Sequence, residues 1–146
     1  MEKNSGPGAA RNYARRQTSE PYILFLDCGD IIYSKYSLLE IIDTIMDNPN
    51  YPIYSWTWVD NEYNIVKSNK DPSTPGKVYS RKFLEEHHLW QCEGRGSYAG
   101  EDMSLNRACQ LILDEDAYLY LPTPIYSTIT NNNSLTHKNN KEFMWK

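Results

Sequence analysis

The hydrophobic pattern is organised around residues 22–26, a run of apolar side chains that leads straight into an acidic turn, Asp27-Cys-Gly-Asp30. A short apolar run bounded by turn residues is typical of a strand that is covered on both faces. We therefore predict a central strand with two carboxylates at its carboxyl end. In open α/β sheets ligands bind at that edge. Asp27 and Asp30 are placed to hold a cation, a ribose or a phosphate, although a plain polar turn explains the same spacing.

Residues 53–59 alternate strictly between two strand faces. The alternation places three aromatic side chains on one face: Tyr54, Trp56 and Trp58. That face either packs into the core or forms a platform for a ligand, because aromatic side chains serve both purposes. A turn near residue 61 and a second strand at residues 63–66 complete a predicted hairpin.

Two more strands are predicted later in the chain. Residues 77–79 form a short one. Residues 116–121 alternate as another, which Pro122 and Pro124 interrupt because proline cannot donate to a strand ladder. Residues 125–129 then extend this strand at an edge of the sheet.

The first predicted helix begins in a glycine-rich segment near the start of the chain. Pro7 suits the first helical position, and Ser5 or Gly6 suits the cap. Arg11 and Arg15 share one face of this helix. A glycine-rich entry, exposed helix amides and a basic face together suit an anion.

Three further helices are predicted. The segment Ser37-Leu-Leu-Glu40 matches a capping box that starts the second helix. The apolar stripe of that helix consists of Leu38, Ile41, Ile42 and Ile45. Ser80 caps a third helix over about residues 81–88. The fourth carries Glu101 and Asp102 in its first turn, where acidic side chains are also ordinary partners of the helix dipole.

Composition limits the class of protein. A chain of 146 residues with 40% hydrophobic content can form one domain with a core, which we assign to residues 1–129, followed by a polar tail at residues 130–146. The net charge of −4 argues against general affinity for nucleic acid. We find no apolar run that could span a bilayer and no signal peptide, which predicts a cytoplasmic protein. Three cysteines without metal-type spacing predict reduced thiols.

Four segments occur in a distinctive order. Residues 4–12 have the pattern Asn-x-Gly-x-Gly-x-Ala-Arg-Asn, residues 20–30 hold the apolar run and the acidic turn, and residues 76–84 and 100–103 follow. This order resembles the middle of the family-two glycosyltransferases with the GT-A fold. The resemblance implies a three-layer α/β/α sheet without the N-terminal nucleotide-binding strands. It also implies inverting, metal-assisted transfer of a sugar from a nucleotide-sugar donor to the hydroxyl of a saccharide or another acceptor.

The same resemblance implies roles for individual residues. Asp102 would be the general base, with Glu101 assisting it. Asp30 and Asp27 would bind Mn²⁺ or Mg²⁺, hard cations that suit oxygen ligands. Contacts with the donor and its nucleotide are implied for Arg11, Asn12, Asp27 and Asp30. Acceptor contacts are implied for Tyr79 and Arg81, and a further metal contact for His137. If the aromatic face of residues 53–59 is a platform, Trp56 and Trp58 would also contact the acceptor.

Two departures from the family pattern leave a second function open. Gly29 stands where the metal motif usually carries its middle aspartate, and the first half of the family pattern has no counterpart in the chain. The alternative is a non-catalytic remnant that binds a saccharide or a partner. On either interpretation, the exposed edge of a partial sheet predicts a homo-oligomer or a missing complementary chain.

Overall fold

The structure is a computed structural model that describes residues 5–60, 62, 64–67, 70, 72–93 and 101–129. The helices within these ranges are α1 (Pro7–Arg16), α2 (Ser37–Asp47), α3 (Arg81–Glu86) and α4 (Glu101–Ile112). The strands are β1 (Tyr22–Leu24), β2 (Ile31–Ile32), β3 (Ile53–Val59), β4 (Ile65–Lys67), β5 (Lys77–Ser80) and β6 (Tyr118–Ser127). No helix in these ranges is long and apolar enough to cross a membrane.

The strands form one mixed sheet in the order β1-β5-β3-β6-β2, and β4 pairs with β3 beside this path. β3 and β6 run parallel, whereas the other pairs are antiparallel. Every residue of β3 is buried. The alternation along β3 therefore separates two cores from each other, rather than a core from solvent.

Each face of the sheet carries its own core. One core joins strand residues such as Ile53 to α3 and α4, and it consists of Ile23, Ile53, Tyr79, Phe83, Leu84, Leu89, Leu105, Cys109 and Tyr118. The other joins the sheet to α2, and it consists of Ile41, Tyr54, Trp56, Trp58, Val78, Ile125 and Tyr126. Neighbours in a strand, such as Ile53 and Tyr54, point to opposite faces. Helices thus cover both faces, which confirms the three-layer expectation.

Several element boundaries follow the local signals in the sequence. Gly6 is the N-cap of α1 and Pro7 occupies its first turn. Ser80 caps α3, since its hydroxyl accepts a hydrogen bond from the Phe83 N–H. β3 and β4 form the predicted hairpin. These predictions are confirmed, and α3 ends slightly earlier than expected, at Glu86.

The prediction that the apolar run forms a central strand is wrong. β1 covers only Tyr22–Leu24 and, among the described strands, pairs with β5 alone, so it lies at an edge of the sheet. Ile23 packs into one core while Tyr22 and Leu24 pack against the other. Residues 22–24 are therefore covered on both faces, whereas Leu26 near the end of the run is 48% exposed. An apolar run predicts that both faces of a strand are buried. It does not predict whether other strands pair with both of its edges.

The prediction that the C-terminal strand is broken and lies at an edge is also wrong. β6 continues through Pro122 and Pro124 and lies between β3 and β2. The prolines instead shift the register, so that Leu121 pairs with Trp56 whereas Pro124 pairs with the next residue, Thr57. The Thr57 hydroxyl donates to the Pro122 carbonyl at 2.7 Å. This side-chain bond satisfies a carbonyl group at the irregular part of the ladder.

The predicted capping box of α2 does not form. The helix begins at Ser37, and its N-cap is Tyr36, which already has a helical backbone conformation. The Ser37 hydroxyl accepts instead from the Ser34 N–H at 3.1 Å. Because residues 34–37 form a turn that leads directly into the helix, Ser37 lies one position inside it.

Candidate functional site

The acidic turn follows β1. The Asp30 N–H donates to the Asp27 carbonyl at 3.0 Å and closes the turn. Gly29 has a φ of 97°, which side chains other than glycine rarely adopt, although a Cβ there would meet nothing within 4 Å. The backbone conformation, rather than a lack of space, therefore favours glycine where the family motif usually carries an aspartate.

Arg11 of α1 holds the first carboxylate of the turn. Its Nε donates to Asp27 Oδ1 at 3.1 Å, and its Nη2 donates to Oδ1 at 2.8 Å and to Oδ2 at 2.7 Å. The Arg11 side chain is 10% exposed and that of Asp27 is 47% exposed. The ion pair therefore has a buried guanidinium and a carboxylate that is open to solvent on its other side.

The second carboxylate is held from the end of β6. Tyr126 Oη donates to Asp30 Oδ2 at 2.7 Å, and the Ile129 N–H donates to Oδ1 at 3.0 Å. Tyr126 Oη also accepts from the Asp27 N–H at 3.2 Å. Both aspartates of the turn are thus fixed by groups that lie far away in the sequence.

Asn12 ties α1 to the segment that precedes α4. Its Nδ2 donates to the Gln91 carbonyl at 2.9 Å and to Glu93 Oε1 at 2.7 Å, while its Oδ1 accepts from the Gln91 N–H at 3.0 Å. The Cys92 N–H donates in turn to Ser104 in the first turn of α4. Helix α1 therefore connects the acidic turn with the beginning of α4.

The glycine-rich entry to α1 also serves packing. Gly8 is buried, and a Cβ at this position would overlap the carbonyl oxygen of Cys92. Arg15 is buried as well; its Nη1 donates to the Leu89 carbonyl at 2.6 Å, and its guanidinium stacks on the Trp90 ring. Burial lowers the pKa of Arg15. The small residues and the basic face thus pack α1 against residues 89–93.

Three of the predicted acceptor residues lie in the core. Trp56 and Tyr79 are fully buried, in different cores, and Tyr79 donates to Asn106 Oδ1 at 2.9 Å. Their acceptor role is therefore corrected, since they offer no surface to a ligand. Trp58 is nearly buried and pairs with Tyr126 across the β3–β6 ladder. For the aromatic face of β3, the core interpretation is the one that the structure supports.

Arg81, the fourth predicted acceptor residue, lies away from the acidic turn. Its N–H donates to the Pro21 carbonyl and its Nε to the Glu20 carbonyl, just before β1, whereas the acidic turn follows the other end of that strand. Arg81 also lines an open cleft of about 440 Å³ beside α3. Arg81 is therefore not in contact with Asp27 or Asp30, and its acceptor role stays a prediction.

The remaining predicted residues are located only by their position in the chain. Glu101 and Asp102 begin α4, as expected, but their side chains lie outside the described part of the structure. His137 and the rest of the tail lie outside it altogether. Tyr126 was not predicted from the sequence. Its only signal is its place in a strand, and its partners lie almost a hundred residues earlier.

The chain is similar in sequence to known proteins. The model of a family described as glycosyl transferase family 2 matches residues 1–107, which is most of the chain. The chain belongs to glycosyl transferase family 2. A relative described as an uncharacterized glycosyltransferase, from Rickettsia bellii, is 32% identical over 83 residues. This match covers 55% of the family-2 chain and 12% of the relative.

Solved structures show the same fold as this family-2 chain. S. aureus TarS 1-349 in complex with UDP-GlcNAc matches with a TM-score of 0.72 and 20% identity, over 92% of this chain and 42% of that one. A second structure, described as S. aureus TarS, matches with a TM-score of 0.71 and 17% identity, over 90% of this chain and 26% of that one. The GT-A-like fold is thereby confirmed, and the chain spans less than half the length of these proteins.

Proposed function

We propose that this chain is the catalytic portion of a glycosyltransferase that moves a sugar from a nucleotide-sugar donor to an acceptor hydroxyl. Membership of glycosyl transferase family 2 supports sugar transfer in general. The observation that carries the proposed donor site is the acidic turn, in which Arg11 holds Asp27 while Tyr126 holds Asp30. The proposed ligand of this turn is the diphosphate of the donor together with its cation.

The carboxylate oxygens of the turn can bind a divalent cation if substrate phosphates supply the other ligands. The described residues contain no group of three His, Cys, Asp or Glu side chains that could hold a metal ion. Hard cations are also held by one or two carboxylates together with substrate phosphates. Each carboxylate oxygen of Asp30 accepts one hydrogen bond from the residues that the structure describes. This leaves lone pairs on both oxygens for a ligand. Asp27 and Asp30 are therefore the proposed protein ligands.

The proposed chemistry divides between the acidic turn and the start of α4. A bound Mn²⁺ or Mg²⁺ would supply positive charge beside the leaving nucleotide diphosphate. Arg11 and Tyr126 keep the two carboxylates in fixed directions for it. Asp102, with Glu101 beside it, is the proposed base that accepts the proton of the acceptor hydroxyl. The hydroxyl oxygen bonds to the anomeric carbon as the bond from that carbon to phosphate breaks.

The donor site is tested by calorimetric titration of UDP, GDP and UDP-sugars into the chain, with and without Mn²⁺. We expect binding that depends on the metal and discriminates between the bases. Asp30→Asn should abolish the metal dependence because it replaces a charged ligand with a neutral amide. The control is Asp43→Asn, which changes the same chemical group on the exposed side of α2 and should bind like the unaltered chain.

The outcomes of the titration separate two functions. Asp102→Asn should retain donor binding but lose transfer to an acceptor, since it removes only the base. Binding to none of the nucleotides would refute the proposed donor site. That result would favour the alternative, a remnant that binds a saccharide or a partner without catalysis.

A further inference from the structure

Tyr126 reaches the acidic turn from β6 and contacts both ends of it. Its hydroxyl accepts from the Asp27 N–H at 3.2 Å and donates to Asp30 Oδ2 at 2.7 Å. The turn itself is closed by the hydrogen bond between the backbone groups of these two aspartates. A single hydroxyl group therefore spans the turn and orients the carboxylate at its end.

The ring that carries this hydroxyl cannot easily move. Tyr126 is 1% exposed and packs in the core that includes Ile41 and Trp58. It also pairs with Ile32, two residues beyond Asp30, in the β2–β6 ladder.

We propose that Tyr126 is the positioning residue of the acidic turn, and that its hydroxyl aims the Asp30 carboxylate at the cation of the donor. This inference rests on the proposed function. The Ile129 N–H fixes the other oxygen of Asp30, so the carboxylate is held at two points. Partners of this kind orient metal ligands, and their loss typically weakens metal binding by about 10- to 100-fold.

The test is Tyr126→Phe, which keeps the ring and its packing and removes only the hydroxyl. The binding of Mn²⁺ in the presence of UDP is followed by the electron paramagnetic resonance signal of the free ion. We expect the affinity to fall by roughly tenfold or more. Circular dichroism establishes that the variant is folded.

The matched control is Tyr118→Phe. Tyr118 lies on the same strand and is also buried, but its hydroxyl has no hydrogen-bond partner in the described part of the chain. Its loss should leave Mn²⁺ binding unchanged.

A second measurement, amide hydrogen exchange, does not need a metal. The Asp27 and Asp30 amides should exchange faster in Tyr126→Phe and at the unaltered rate in Tyr118→Phe.

These measurements separate this inference from the proposed function. If Asp30→Asn weakens Mn²⁺ binding while Tyr126→Phe leaves both binding and exchange unchanged, the positioning role is wrong and the donor site stands. If the unaltered chain does not bind Mn²⁺ with UDP, the metal-directed role of Tyr126 fails together with the donor site. Faster exchange in Tyr126→Phe would then show only that the hydroxyl stabilises the turn.

Discussion

Helices α1 and α2 bury opposite kinds of surface. α1 is rich in polar side chains, yet Arg11, Asn12 and Arg15 are among its buried residues. α2 is mostly apolar, yet four of its large side chains are more than half exposed: Leu38, Leu39, Ile42 and Met46. Whether a side chain of these helices is polar or apolar therefore does not decide whether it is buried. The partners available to each side chain decide it.

The buried polar face of α1 has specific partners. Arg11 binds a carboxylate, Asn12 binds backbone groups of Gln91, and Arg15 donates to a backbone carbonyl and stacks on Trp90. Burying a polar group costs little when hydrogen bonds replace those to water. This holds for Asn12, whereas Nε and Nη2 of Arg15 are buried without a hydrogen-bond partner among the described residues. α2 instead packs only the side of its apolar stripe that carries Ile41 into a core. The polar helix is thus the more deeply embedded of the two.

The largest effect is expected from Asn12→Ala in α1. The change removes three hydrogen bonds and leaves a buried N–H and a carbonyl of Gln91 without Asn12 as partner. Since each unsatisfied buried group costs about 1–3 kcal/mol, the free energy of unfolding should fall by roughly 3–5 kcal/mol. Urea denaturation measures this loss.

The control for Asn12→Ala is Tyr13→Ala, at the next position of α1. Tyr13 is 45% exposed, so its truncation should cost less than about 1 kcal/mol despite the larger side chain. If both variants lose the same stability, the buried polar contacts of α1 do not attach the helix to the rest of the fold. The proposed difference between α1 and α2 would then be wrong.

A smaller loss of stability is expected in α2, where two neighbouring isoleucines differ in burial. Ile41 is buried in a core, whereas its neighbour Ile42 is 52% exposed. Ile41→Ala should destabilise the fold by about 2–4 kcal/mol, because it removes buried methyl groups and leaves a cavity. Ile42→Ala should cost less than about 1 kcal/mol. Equal losses, measured by urea denaturation, would mean that a partner covers the outer side of α2 in solution.

Local signals explain what could be predicted from the sequence. Pro7 at the start of α1, Ser80 before α3 and the alternation of β3 each act within a few residues, and each predicts its element correctly. The acidic turn and the acids at the start of α4 were also located by such signals. These positions are therefore predicted from local causes, although the local signals at Ser37 and at Pro122 predicted a capping box and a strand break that do not form.

Long-range partners explain what could not be predicted. Asn12 binds Gln91, which is 79 residues away, and Tyr126 binds Asp30, which is 96 residues away. No periodicity in the sequence reports such a pair. The edge position of β1 and the burial of the Arg11 side chain follow from the same kind of contact. The candidate residues of the turn were thus predicted, but not the groups that hold them.

The smallest expected effect concerns the attachment of α2 at alkaline pH. The Tyr54 hydroxyl donates to the carbonyl of Asn48 at the C-terminal end of α2, and burial raises the pKa of Tyr54 to about 12 from its ordinary value of 10. The folded state therefore holds this proton more tightly than the unfolded state. The stabilisation is complete below pH 10 and is lost as the pH rises through about 12.

Tyr54→Phe should reduce this pH dependence because it removes the group that titrates. Between pH 9 and pH 11, the free energy of unfolding should fall by about 1 kcal/mol less in the variant than in the unaltered chain. Urea denaturation across this range measures the difference. Tyr36→Phe, at the exposed N-cap of α2, serves as the control and should leave the fall unchanged. A Tyr54→Phe curve parallel to that of the unaltered chain would show that Tyr54 does not couple the end of α2 to the sheet through a buried proton.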